Sequence, residues 1–209
     1  MKYYIIANNK ELTQESIDKL ELNGKNLLVL FNYLWPLRFQ EVLDYENKIC
    51  ISRNFAPGYQ KLDKDGRQVG FHRGYANIKQ IHTDQELFKK IYFHSHPSHM
   101  SGVASRSYQK VIDSYDFDTD RLGALDKELA NVRNRIGYPM NKNISTGIIA
   151  YEYFISTKRT HDDIILVGFN SKVAKKFHNP QWEKLYMLRQ INMNRCKFIQ
   201  CYGLMERIL

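Results

Sequence analysis

"NKNISTGIIAYEYFISTKRTHDDIILVGFN", residues 141–170, is the stretch whose reading decides the fold. Ser145, Thr146 and Gly147 stand where a helix opens. Hydroxyl side chains there take up N–H groups that have no intrahelical acceptor. After the helix, "HDDIILVGFN" reads as a buried strand closed by Gly168, a residue that lets the chain turn or a ligand approach its backbone. The helix start also gathers free N–H groups, two hydroxyls and a glycine, which suits an anion. The same triplet equally serves as a plain cap.

Working outward, "KYYIIA" is an apolar run of strand length that breaks at "NNKE", and "LTQESIDKLEL" then reads as an amphipathic helix. "KNLLVLFN" and "NKICISRN" repeat the strand and stop at Asn32 and Asn54, as the first strand stops near Asn9. Strands alternating with helical stretches, with polar residues at the strands' C-terminal ends, predict an α/β fold. The sheet is Rossmann-like and parallel, flanked by helices, with its ligand in the crevice above those ends. Asparagine also serves ordinary turns, because it tolerates left-handed backbone. Residues 56–138 are less orderly and read as an inserted lid or acceptor region within a single domain spanning 1–209. Within it, "ELFKKIYFHSHP" holds another strand.

The 209 residues are 43% hydrophobic and 13% aromatic, enough to fill a core. Cys50, Cys196 and Cys201 form no C-x-x-C pair, which fits a reducing compartment. No run reaches the ~18 apolar residues of a membrane span, so the expected location is cytoplasmic. A net charge of +9 favours an anionic partner. Peripheral contact with an anionic membrane at its inner face fits that charge. Nucleic acid is not expected, since no helix-turn-helix, zinc-finger or RNP pattern is present.

"YFHSHPSHM", residues 92–100, places His94, His96 and His99 around a proline. His-x-His-Pro resembles the start of the metal site in deubiquitinase-type zinc peptidases. A catalytic zinc needs a third protein ligand, yet the positions three residues after Ser101 and Ser105 are Ala104 and Tyr108. No metal is therefore expected, and the histidines read as loop or acceptor-site surface. A zinc-dependent isopeptidase or hydrolase, with Asp113 among candidate ligands, stays open as an alternative, as does a catalytically silent nucleotide-binding protein.

"ISTGIIAYEYFI…DDIILVGF" resembles the small sialylmotif of the sialyltransferases, and "FHNPQWEKLY", with four residues between His178 and Glu183, resembles their very small sialylmotif. The N-terminal "KYYIIANNKEL…NLLVLFNYLWP" is similar to the large sialylmotif and to bacterial lipooligosaccharide sialyltransferases of glycosyltransferase families 29 and 42. The resemblance implies a GT-A-like sialyltransferase architecture and metal-independent, inverting transfer without a cofactor. Sialic acid, or a keto sugar such as Kdo, passes from a CMP-sugar donor to a glycan acceptor such as lipooligosaccharide or capsule. By the same resemblance, Asn9, Asn32 and Asn54 contact the nucleotide sugar, Ser145, Thr146, Gly147 and Gly168 line its site, and His178 is the base with Glu183 behind it. Two positions depart from the pattern: Asn143 replaces an arginine, and Asn170 replaces a ribose-binding aspartate. The phosphate-binding tyrosine pair is absent from "SKVAKKF", where Lys172, Lys175 or Lys176 offers charge instead.

Imidazole titrates near ~6.5, so His178 suits removal of an acceptor hydroxyl's proton near neutral pH, which asparagine and serine cannot do. The departing phosphate needs fixed donors rather than another base.

Overall fold

The computed structural model describes residues 1–31, 34–53, 60–62, 65, 68–71, 73–94, 115–125, 132–169 and 178–199. Seven strands form one wholly parallel sheet: β1 (Lys2–Ile6), β2 (Leu27–Phe31), β3 (Lys48–Arg53), β6 (Lys90–His94), β7 (Leu122–Ala124), β8 (Asp163–Val167) and β9 (Lys197–Ile199). Their spatial order is β7-β6-β3-β2-β1-β8-β9. The described chain thus winds outward from β1 to β7, returns to lay β8 on the other side of β1, and adds β9 beyond it. The direction of winding reverses between β1 and β8, and the crevice above such a reversal is where open α/β sheets hold ligands. A separate antiparallel hairpin, β4 (Gln60–Leu62) and β5 (Gln68–Phe71), lies between β3 and β6 in sequence.

The strands read as unbroken apolar runs because both faces of the sheet are covered. Side chains alternate between the faces: Tyr3, Ile5, Val29, Phe31, Ile49 and Ile51 enter one core, and Tyr4, Ile6, Leu28, Leu30 and Cys50 the other. The second core is closed by α1 (Gln14–Asp18), α2 (Gln40–Asp44) and α3 (Arg73–Thr83), through Ile17, Val42, Ile78 and Ile81. Over the first lie α4 (Val132–Ile136), α5 (Thr146–Thr157) and α6 (Pro180–Asn192). Helix α5 is apolar nearly all round, as a helix packed between a sheet and other helices must be; Ile148, Ile149, Ala150, Tyr151 and Phe154 are all buried.

The Rossmann-like parallel sheet matches the sequence expectation, with differences in detail. The helix expected over "LTQESIDKLEL" is confined to Gln14–Asp18, with no side-chain bond capping it at Thr13. Leu12 and Leu20 nonetheless anchor in the core, so the apolar spacing reports packing rather than helix length. The stretch 56–138 also contributes more than an excursion, since β6 and β7 extend the main sheet beyond β3. Among the described residues no helix is long and apolar enough to cross a membrane.

Candidate functional site at the C-terminal edge of the sheet

At the reversal point, the turn after β1 and the end of β8 are bonded to each other. Asn9 is buried; its Nδ2 donates to Gly168 O at 2.9 Å, and its Oδ1 accepts from Glu11 N at 2.9 Å. Gly168 has φ of +68°, and a Cβ there would lie 2.8 Å from Leu12 Cδ1, so both the backbone angle and the space favour glycine. The neighbouring Asn8 ties β1 to β2 by donating from Nδ2 to Phe31 O at 2.6 Å. Its Oδ1 is buried and has no hydrogen-bond partner among the described residues. Native folds rarely leave a buried acceptor unmet, which sets this turn apart from the rest of the described sheet ends.

Beside this crevice stands the start of α5. Ser145 caps the helix, its Oγ accepting from Ile148 N at 3.4 Å, and Ser145 N donates to Glu183 Oε1 at 3.1 Å. Thr146 Oγ1 lies 3.3 Å from His94 Nε2. A Cβ on Gly147 would meet the Phe169 ring at 2.9 Å, and Phe169 packs edge-on against Phe31 at 6.3 Å between centroids. The glycine thus lets the ends of β2 and β8 close against the helix start.

His94 is where the structure corrects the sequence reading. It is not loop surface: it ends β6, is 2% exposed, and reaches the helix start. His96, His99, Ser101, Ser105 and Asp113 lie outside the described residues, so the remainder of the histidine cluster is not placed. Among the described residues no group of three His, Cys, Asp or Glu side chains is placed to hold a metal.

His178 and Glu183 meet at the start of α6, as their spacing across a helix N-terminus allows. His178 Nδ1 lies 2.8 Å from the carbonyl oxygen of Asn143, a contact that makes Nδ1 the protonated nitrogen of neutral imidazole. Nε2 then carries the lone pair, and it has no partner among the described residues. Glu183 is 6% exposed, accepts from Tyr138 OH at 2.8 Å as well as from Ser145 N, and lies 4.0 Å from His178 Nδ1. Burial pushes its carboxyl above the ordinary range, against the bonds from Ser145 and Tyr138 and the nearby His178. Burial and the adjacent Glu183 push the Tyr138 phenol up as well. Tyr138 OH also accepts from Asn179 N at 3.0 Å, and Asn179 caps α6 by accepting from Trp182 N at 3.1 Å. One chain of bonds therefore joins the starts of α5 and α6, with His178 at its outer end and 23% of its side chain exposed.

Of the residues singled out in the sequence, Asn9 and Gly168 are bonded to each other, and Ser145, Glu183 and His178 form a connected group next to Thr146 and Gly147. Asn32, Asn54, Asn170, Lys172, Lys175 and Lys176 lie outside the described residues. Asn8 and Tyr138 are additions from the structure, and His94, read in the sequence as loop or acceptor-site surface, joins them beside Thr146. Asn8 shared its signal with Asn9, whereas nothing local marks a tyrosine that is useful only because Glu183 lies beside it. Compared with known proteins, the chain matches no family model, no curated protein and no solved structure.

Proposed function

We propose that this chain is a glycosyltransferase that moves sialic acid, or a related keto sugar such as Kdo, from a CMP donor to a glycan acceptor without a metal. The observation that carries this reading is that the C-terminal edge of the sheet holds both the Asn9–Gly168 closure at the winding reversal and a partly exposed histidine whose Nδ1 is tied to Asn143 O. In the reaction, the acceptor hydroxyl gives its proton to His178 Nε2 while its oxygen bonds to the anomeric carbon. The bond from that carbon to the phosphate oxygen breaks, and CMP leaves with the electron pair. Glu183 and Asn143 O favour the imidazolium that forms, which is a general base's requirement for stabilisation in the transition state. The start of α5 and the Asn8–Asn9 turn supply fixed dipoles toward the leaving phosphate and the nucleotide.

The test is single-turnover transfer with CMP-sialic acid, and with CMP-Kdo alongside, in EDTA. Transfer or donor hydrolysis that survives chelation supports the reading. CMP binding with neither donor turned over would favour a silent nucleotide-binding protein. Activity lost on chelation and restored by zinc would favour a hydrolase built on His94 and the histidines after it.

A further inference from the structure

A second concavity lies away from the C-terminal edge of the sheet. It is a groove of about 680 Å³ between α4, α5 and α6, on the outer side of the first core. Its floor is polar and fully committed: Glu152 is buried, and it accepts from Arg135 at 2.9 Å and from the Tyr186 hydroxyl. Tyr151 donates to Gln190 Oε1 at 3.2 Å. Its walls carry three guanidiniums, Arg135, Arg189 and Arg195, against the single carboxylate of Glu152, so the groove is net positive. The Arg189 guanidinium has no partner among the described residues, and Arg195 makes only a long bond of 3.3 Å to Gln190. Trp182 lies at one end, stacked on Tyr186 at 5.0 Å. Leu185 and Met193 are exposed on the rim, 64% and 46%.

We propose that this groove binds an acidic oligosaccharide, with its carboxylates held by Arg189 and Arg195 and a sugar ring seated against Trp182 and the apolar rim. Arginine forks suit carboxylates because two parallel N–H groups match their two oxygens. Flat aromatic walls beside them suit the C–H faces of sugar rings better than the bare headgroups of a bilayer, and a concave groove does not suit a flat membrane. The groove also starts one turn from the chemistry. Trp182 N bonds to Asn179, the residue after His178, and the groove then runs along α6 for about 16 Å at 1.5 Å per residue to Met193. As a binding site it stands on the groove alone; calling its occupant the acceptor rests on the transferase reading.

Binding of tetragalacturonate, without any donor nucleotide, is measured by Trp182 fluorescence in a Trp35→Phe background, beside neutral maltotetraose and anionic phosphatidylglycerol vesicles. Trp35 and Trp182 are the two tryptophans, so the signal then reports the groove alone. The expected result is saturable binding of the acidic sugar, weakened at least ~10-fold by Arg189→Glu and less by Arg189→Gln. Lys19→Glu, the same charge change on the opposite face of the sheet, leaves it unchanged. Equal binding of the neutral sugar, equal weakening by Lys19→Glu, or binding of vesicles but not of the sugar would each overturn the proposal. Because no donor is present, these results do not depend on whether the chain transfers a sugar.

Discussion

The two edges of the sheet use the same kinds of residue in opposite ways. At the edge where strands begin, three buried polar side chains, Lys48, Asn26 and Asp162, are matched within the protein. Lys48 is 2% exposed, and its Nζ donates to Leu43 O at 2.7 Å and Tyr45 O at 2.6 Å. Asn26 accepts from Lys2 N at 2.9 Å and donates to Glu21 O at 2.7 Å. Asp162 accepts from Tyr3 OH at 3.2 Å and from Arg159 N at 3.1 Å. Where strands end, Asn8 Oδ1 is buried and, among the described residues, neither it nor His178 Nε2 has a hydrogen-bond partner. The beginning edge spends these polar groups on holding the sheet's covering loops, and on the proposed function the ending edge offers its own to a ligand. Matched buried groups stabilise, whereas unmatched ones cost about 1–3 kcal/mol each until a ligand meets them.

That contrast is open to direct attack. The largest effect is expected from His178→Ala, which should lower kcat for transfer by at least ~10²-fold, with CMP affinity nearly unchanged, because a base acts on the acceptor's proton and not on the nucleotide. Its Tm should move by no more than a few degrees, the signature of an edge built for chemistry. Full single-turnover activity in this variant would remove His178 from the mechanism.

Lys48→Met should do the reverse. Two carbonyl oxygens lose their donor, so a loss of about 1–3 kcal/mol is expected, while CMP titrations of the folded variant match wild type. Denaturant midpoints and calorimetry read the two quantities separately, and a variant that lost nucleotide binding with its stability intact would contradict the division between edges.

Gly168→Ala tests the link inside the ending edge. Left-handed backbone costs a non-glycine residue about 1–2 kcal/mol, and the new methyl meets Leu12, which disturbs the Asn9–Gly168 bond. Nucleotide affinity should fall about tenfold, in step with ~1.4 kcal/mol. Unaltered CMP affinity would mean that the crevice does not depend on this closure.

The smallest effect is a change of slope. Burial holds Glu183 above the ordinary carboxylate range. Its favourable contribution to stability is therefore complete below the unfolded value of about 4.3 and declines as pH rises through the folded value. Glu183→Gln removes that titration, so wild type should lose stability relative to the variant across this interval. Urea midpoints taken at successive pH values check it, and parallel curves would place the carboxyl outside the buried network.

Some of this was legible in the sequence for local reasons. The strands at the N-terminus and before Gly168 announce themselves because a strand buried on both faces needs apolar residues at every position, and each run is short enough to read in isolation. Ser145 was readable as a cap because capping chemistry acts over three residues, and Gly168 because its left-handed turn excludes most other side chains. Other features required contacts that no local window contains. That β6 and β7 extend the main sheet depends on β3 accepting a neighbour, and His94 belongs beside Thr146 only because β6 lies in that sheet, 52 residues away in sequence. The protonated nitrogen of His178, the environment of Glu183 and the arginine groove likewise arise where α4, α5 and α6 pack together. Strand composition and helix caps are set by energies acting over a few residues, so the sequence carries them. Which polar groups end up matched and which are left open is decided by long-range pairing, so only the tertiary structure could decide it.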